Sequence, residues 1–414
     1  MLSRRSFLRS TAAGAGIATW SDQLQDLTST FGSGTEVDWD AVRASFPITH
    51  WELLHLNSGS AGVMPMPVLT RLEELTRQMN AMAPYEAFAL WQEERAQALT
   101  RLEDLVSAPP GSLRLVRNTT EGLNTIISQL KLQPQDEVII SKDIYPYARN
   151  AWKNKMTHSG AKLVEIDLNL PNSDDEVLDQ MFAAMTPNTR VVHVSHMTHR
   201  EGHIMPLRRI IEMSRAQDVL VVADGAHVVG QLPLDLTAID PDFYVSSLHK
   251  WLNAPHGNGM LYVRDESFDT LHPFPSSYPT ESNLPSQYDH LGTRAFQVEL
   301  GIGPSLDFHE LIGARTKYDR LQTLKHYWTS TLQEIERIKW HTDLTDAHSC
   351  AVVSFSIRRI KTGELLRQLR EEYRIHAKMV ITFQGSAIRI SPNVFTSKQE
   401  LDRLVQAIKS ISMS

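Results

Sequence analysis

Cysteine is almost missing from this chain: Cys350 is the only one in 414 residues. That excludes an internal disulfide and any cysteine-rich metal site. A basic surplus is missing as well. With a net charge of −7 at pH 7 and no basic stripe, nucleic acid is excluded as the main partner, because phosphate binding needs Lys and Arg gathered on one face. Beyond the N-terminus no apolar run approaches the roughly 20 residues of a membrane-spanning helix, so no stable membrane insertion is expected. Internal repeats and low-complexity tracts are absent too. What is there, 42% hydrophobic and 21% charged residues, is the composition of a soluble globular protein large enough for two structural units.

The first residues read MLSRRSFLRSTAAGAGIATW. Arg4 and Arg5, then Phe7, Leu8 and a weakly apolar run over residues 11–20, resemble a twin-arginine export signal. The resemblance implies the twin-arginine export machinery as a partner, a periplasmic or exported destination, and a signal with linker over residues 1–33. The bland alternative is a basic tail, since the apolar run is short and Trp20-Ser21 offers no small-residue cleavage site.

From residue 113 onward, short apolar runs alternate with longer amphipathic ones. LRLV, EVIIS, LVEID, VVHVS, VLVVAD, FYVS and NGMLYVR read as seven strands. They lack strict polar alternation, as strands do when helices cover both faces of a parallel sheet. The expected fold class is therefore α/β, an open and mainly parallel seven-stranded sheet. Ligands of such sheets sit beyond the carboxyl ends of the strands. There the sequence places RNTT, KDIYPY, HMTHREGH, DGAH and SLHK. From about residue 304 the pattern changes to a long helical stretch through about residue 336, then CAVVSFSI, a helix, AIRIS and a last helix. This predicts an N-terminal segment over 34–64, a large domain over 65–303 and a smaller α+β domain over 304–414.

Lys250, in SSLHKWLNAPHGNG, directly follows an apolar strand, where its amine can be partly desolvated and reactive toward a carbonyl. Alone, a lysine at a strand end is more often a solvated charge. Asp224 changes that reading, because it ends VLVVAD, and a carboxylate buried there needs a cation or donor. An aspartate closing one central strand and a lysine closing the next is the pairing that pyridoxal 5′-phosphate (PLP) needs. The lysine bonds the cofactor, and the aspartate keeps the pyridine nitrogen protonated.

The stretch DGAHVVGQLPLDLTAIDPDFYVSSLHKWLNAPHGNGMLYVR resembles the core of the class V aminotransferase family, its isopenicillin N epimerase-like branch in particular. The likeness runs from about residue 56 to the C-terminus. It implies the aspartate aminotransferase-like fold, PLP fold type I, and a homodimer with sites at the subunit interface. By the same resemblance Thr119 and Thr120 bind the cofactor phosphate together with Ser247 and His249, Tyr145 lies against the pyridine ring, and His227 sits just beneath it. Thr293 donates a phosphate contact to the neighbouring subunit, and Arg389 holds the α-carboxylate of the substrate. Without the family match, the TT pair would be a helix cap, Tyr145 part of a surface turn, and Arg389 the polar face of a strand.

The segment HVSHMTHREGH, residues 193–203, holds four histidines and invites a metal reading. In the family register His199 instead faces the phenolic oxygen of PLP, where Asn or Ser is usual, and His196 takes a position where His also occurs. His193 is expected in core packing and His203 on the loop surface. A zinc site needs three or four converging ligands, which these spacings do not supply; no metal is expected.

The reaction expected is transamination of an amino acid or peptide-like metabolite at its α-amino group. An epimerase or lyase is the alternative. Export adds a likeness to the periplasmic class V enzymes that modify pyoverdine-type siderophores. A non-catalytic periplasmic binding protein is the reading from another class. Desulfuration is disfavoured, because desulfurases of this fold use a mobile cysteine shortly before the carboxylate-binding arginine, and the residues before Arg389 contain none.

Overall fold

The computed structural model describes residues 37–272 and 292–413. Eight strands fall in its first part: β1 (Leu54–His55), β2 (Leu113–Val116), β3 (Glu137–Ser141), β4 (Lys162–Ile166), β5 (Thr189–Ser195), β6 (Leu220–Asp224), β7 (Phe243–Ser247) and β8 (Gly259–Val263). All but β1 join one sheet in the order β2-β8-β7-β6-β5-β3-β4. Neighbours from β4 to β7 pair in parallel, and β8 runs antiparallel between β7 and β2.

The missing alternation in the strands has the expected cause. Val192, Val194, Val221, Ala223 and Tyr244 enter a hydrophobic cluster on one face of the sheet. Val138, Ile140, Val191, Val222, Phe243 and Val245 enter a second cluster on the other. Helix Thr119–Gln129 covers the second face with Leu123, Ile126 and Ile127, and helix Leu207–Arg215 covers the first with Ile210 and Ile211. Both faces of the central strands are buried, so most positions select an apolar or small residue, with His193 in β5 and Asp224 at the end of β6 as buried polar exceptions.

The C-terminal part carries β9 (Ile338–Trp340), β10 (Val353–Ile357), β11 (Ile375–His376), β12 (Lys378–Thr382) and β13 (Gly385–Ile390). An antiparallel sheet β12-β13-β10-β9 shares its core with Leu324 and Trp328 of helix Ala314–Ser330, and with Leu401, Leu404 and Ile408 of helix Lys398–Met413. β1 pairs in parallel with β11, and Leu54 and Leu56 enter this same core. The single helical stretch predicted over 304–336 is two helices, Ile302–Ile312 and Ala314–Ser330, separated by Gly313 at φ +85°. That left-handed backbone favours glycine. It lets the first helix place Ile302 and Leu306 in the core of the large sheet while the second serves the small one. No helix among the described residues is long and apolar enough to cross a membrane.

Candidate active site

The carboxyl ends of the parallel strands converge on one cavity of about 230 Å³. β5 ends at Ser195, which pairs with Asp224 at the end of β6; Asp224 in turn faces Val245 near the end of β7. At the mouth of β2, Asn118 caps helix Thr119–Gln129, its side chain accepting the Glu121 N–H at 2.9 Å. The first helical N–H, that of Thr119, reaches Ser247 Oγ at 3.1 Å, and the two hydroxyls meet at 2.7 Å. Hydroxyls at a helix N-terminus are the donors that a phosphate group requires.

Asp224 is buried, and the only hydrogen bond to its side chain among the described residues comes from the Ala226 N–H, at 2.9 Å. Burial raises its carboxyl above the usual carboxylate range, although the Ala226 N–H and the Lys250 charge pull it back. Gly225 is needed beside it, because a Cβ there would lie 2.2 Å from the Tyr244 ring, whose hydroxyl meets His196 Nδ1 at 3.0 Å.

The Lys250 amine lies 3.2 Å from His227 Nε2. Trp251 Nε1 approaches the other ring nitrogen, Nδ1, at 3.4 Å. An indole N–H can only donate, so Nδ1 accepts and the proton of a neutral His227 sits on Nε2, which can donate to the Lys250 amine once that amine has lost its proton. Both groups are shifted toward their neutral forms, although the Lys250 amine still holds its proton at pH 7. Burial lowers the Lys250 amine to about 8 against the opposing field of Asp224, and burial with the nearby Lys250 charge holds His227 well below the ordinary histidine range. The lysine turn is clamped from outside by Gly62, whose N–H donates to His249 O at 2.9 Å; a Cβ at Gly62 would fall 2.0 Å from Lys250 O.

Arg389 comes from β13 and is buried. It donates to His199 O at 2.6 Å, to Asn57 Oδ1 at 3.1 Å and to Ser60 Oγ at 2.9 Å. Its buried Nε has no partner among the described residues. A buried unpaired guanidinium nitrogen calls for an acceptor, and burial alone lowers the group to about 10. Gly59 leaves room for it: a Cβ there would stand 3.2 Å from Arg389 Cζ.

The cavity wall therefore includes Thr119, Thr120, Tyr145, His199, Asp224, His227, Ser247, His249, Lys250 and Arg389. Thr293 is exposed and does not line the cavity. Asn118, Gly59, Ser60, Ser195, Met197, Ala226 and Lys378 line it as well, and sequence reasoning did not single them out. Asn118 had a signal, as the residue before TT in a capping position. Lys378 had none, because only the ladder of β12 and β13 sets it opposite Arg389.

The four histidines of residues 193–203 diverge. Trp152 Nε1 donates to His193 Nδ1 at 2.7 Å inside the core, His196 meets Tyr244, and Arg200 Nε donates to His199 Nε2 at 3.3 Å. His203, expected on the loop surface, is fully buried and stacks on His348 with ring centroids 5.1 Å apart. The small domain covers it: Ile204 N–H donates to His348 O at 2.8 Å. Among the described residues no group of three or more His, Cys, Asp or Glu side chains is placed to hold a metal ion.

One end of the cavity offers phosphate donors, the floor a buried carboxylate lacking a contacting cation, and beside it stands a lysine amine of lowered basicity. A phosphorylated, aldehyde-bearing pyridine satisfies all three at once, and this fold and site define a PLP enzyme of fold type I. The comparisons agree. The chain belongs to the aminotransferase class-V family, whose model matches residues 55–404, and PLP is its cofactor. It is 29% identical to isopenicillin N epimerase of Streptomyces clavuligerus, over 91% of this chain and 98% of that protein. It is 25% identical to a probable cysteine desulfurase of Xylella fastidiosa, over 91% and 96%. A variant of C-DES with glycine covalently linked to its PLP cofactor superposes with a TM-score of 0.79 at 21% identity, covering 88% of this chain and 98% of that one.

Proposed function

We propose that this protein removes and returns the α-proton of an amino acid, or of a peptide-like metabolite with a free α-amino group, and that the outcome is epimerisation. The observation that carries the reading is the Lys250 amine set 3.2 Å from His227 Nε2, in a cavity that also presents Arg389. PLP supplies an aldehyde for the substrate amine and a ring that accepts the electron pair left at Cα. Thr119, Thr120, Ser247 and His249 would hold the phosphate near the helix N-terminus, and Tyr145, His227 and His199 would contact the ring and its phenolic oxygen. Asp224 would keep a proton on the pyridine nitrogen, and that cation would compensate its buried carboxylate. Arg389 takes the α-carboxylate and so fixes the direction of the Cα–H bond. Lys250 would then take that proton as general base and return it, with the Nε2–H of His227 orienting the free amine.

End-to-end similarity to an epimerase favours epimerisation over the transamination expected from the sequence; the same Lys250, Asp224 and Arg389 arrangement also supports transamination as the second reading. Desulfuration finds no thiol: Cys350 is fully buried in a core cluster, and burial pushes its thiol to about 12. The exposed position of Thr293 supports a homodimer in which it serves the neighbouring site. Export belongs to the same reading, and rests on Arg4 and Arg5, which lie outside the described residues.

The test is incubation of the PLP-loaded protein with single enantiomers in deuterated water, with and without a keto-acid acceptor. Epimerisation gives the opposite enantiomer with deuterium at Cα and no acceptor requirement. Acceptor-dependent keto-acid formation without inversion would establish transamination instead.

A further inference from the structure

Lys378 is the feature of the cavity that the proposed chemistry leaves unused. It lines the wall, and in the β12–β13 ladder its Cα is the partner of Arg389. Among the described residues no side chain or carbonyl bonds its amine, whereas Arg389 has three protein acceptors. The Lys378 charge reaches into the site, depressing the titration of Lys250, His199 and His227. Its own amine is lowered by burial first and by Arg389 second.

The charges around the cavity then do not balance. Its ionised lining groups are Asp224 on one side and Lys250, Lys378 and Arg389 on the other, with the histidines held neutral by burial. Asp224 is matched by the pyridine nitrogen, Lys250 is engaged by the cofactor, and the phosphate sits at the helix N-terminus. An α-carboxylate neutralises Arg389. One cation is left over at the substrate end: Lys378 is exposed at the cavity wall beside Arg389, where a second anionic group of a ligand can pair with it.

We propose that Lys378 is a specificity residue that selects substrates carrying a second anionic group, a carboxylate on the side chain or at the far end of a peptide-like extension. The inference rests on the amine-substrate reading above. A short acidic side chain and a longer acidic extension share this chemistry, and the choice of ligands separates them.

The experiment is a titration of the PLP-loaded protein, followed by its visible absorption, with L-glutamate, L-glutamine and γ-glutamylglycine. Wild type is expected to bind at least one acidic ligand about fivefold or more tightly than glutamine, the scale of a partly exposed ion pair. Preference for glutamate places the second carboxylate on a short side chain, and preference for γ-glutamylglycine places it beyond an amide. Lys378→Met should bring that ratio close to one with PLP content unchanged, and Lys378→Arg should keep it. Equal binding of all three ligands by wild type, or a ratio that survives Lys378→Met, overturns the proposal while leaving the amine-substrate reading intact. A PLP-loaded protein whose spectrum responds to none of these amines overturns both.

Discussion

The two sides of the cavity are built in different ways. The cofactor side comes from strand ends of one sheet: Asn118 and Thr119 after β2, Asp224 at the end of β6, Ser247 closing β7 and Lys250 just beyond. The substrate side is assembled from the two ends of the chain. Arg389 bonds Asn57 across 332 positions and Ser60 across 329, and the bridge between Asn57 and Ser391 ties the N-terminal segment to the small domain. Reactive groups therefore sit in a rigid sheet buried on both faces. The groups proposed to choose the substrate sit where a second hydrophobic core meets the first. Selection can change by repacking the small domain without disturbing the chemistry.

If that division holds, changes on one side should leave the other's signature untouched. The largest effect is expected from Lys250→Ala, which should lower turnover by about 10³-fold or more by removing the base and nucleophile. Borohydride treatment of the wild type should bleach the visible band and leave the cofactor's mass on the peptide containing Lys250. Wild-type turnover in the variant, or label on another lysine, would move the reactive amine elsewhere.

Next comes Arg389→Ala. Loss of a charge-assisted contact to the α-carboxylate should raise KM by about 10- to 100-fold, with PLP content and the resting spectrum as in wild type. Loss of the cofactor in this variant would show that the two sides are one unit, and the comparison would fail.

A smaller effect distinguishes the sides by pH. Burial lowers His193 under the large sheet to about 3, His309 to about 3 and His203, against the small domain, to about 4, from an ordinary 6.5. The folded pKa lies below the unfolded one, so the unfolded chain binds more protons as pH falls. These residues thus leave stability intact above about pH 6.5 and erode it below that, His203 down to about 4 and His193 and His309 down to about 3, each by up to about 1.4 kcal/mol per pH unit. Denaturant midpoints at pH 7.5 and pH 5 measure the loss. His203→Phe should weaken the pH dependence of the small-domain contact, and an unchanged slope would mean that His203 is not held neutral by that contact.

Much of this was legible in the chain because it is locally written. A strand buried on both faces reads as an unbroken apolar run wherever it sits, which is why the boundaries of β6 and β7 could be placed from VLVVAD and FYVS. Asp224 and Lys250 announce themselves as polar residues directly ending such runs. The burial of His203 was not legible, because what covers it is residue 348, on the other domain. Nor was the break at Gly313, since the residues on both sides are good helix formers and only the need to serve two cores at once requires the left-handed turn.

The sequence by itself determined the sheet, its helices and the chemistry at the strand ends, because side-chain period and strand-end polarity act over a few residues. Only the tertiary structure placed Ser60 and Lys378 in the same cavity wall as Arg389. Arg389 reaches Asn57 and Ser60 because β1 joins β11, and stands beside Lys378 because β12 pairs with β13, and contacts across hundreds of residues leave no periodic trace in a single chain.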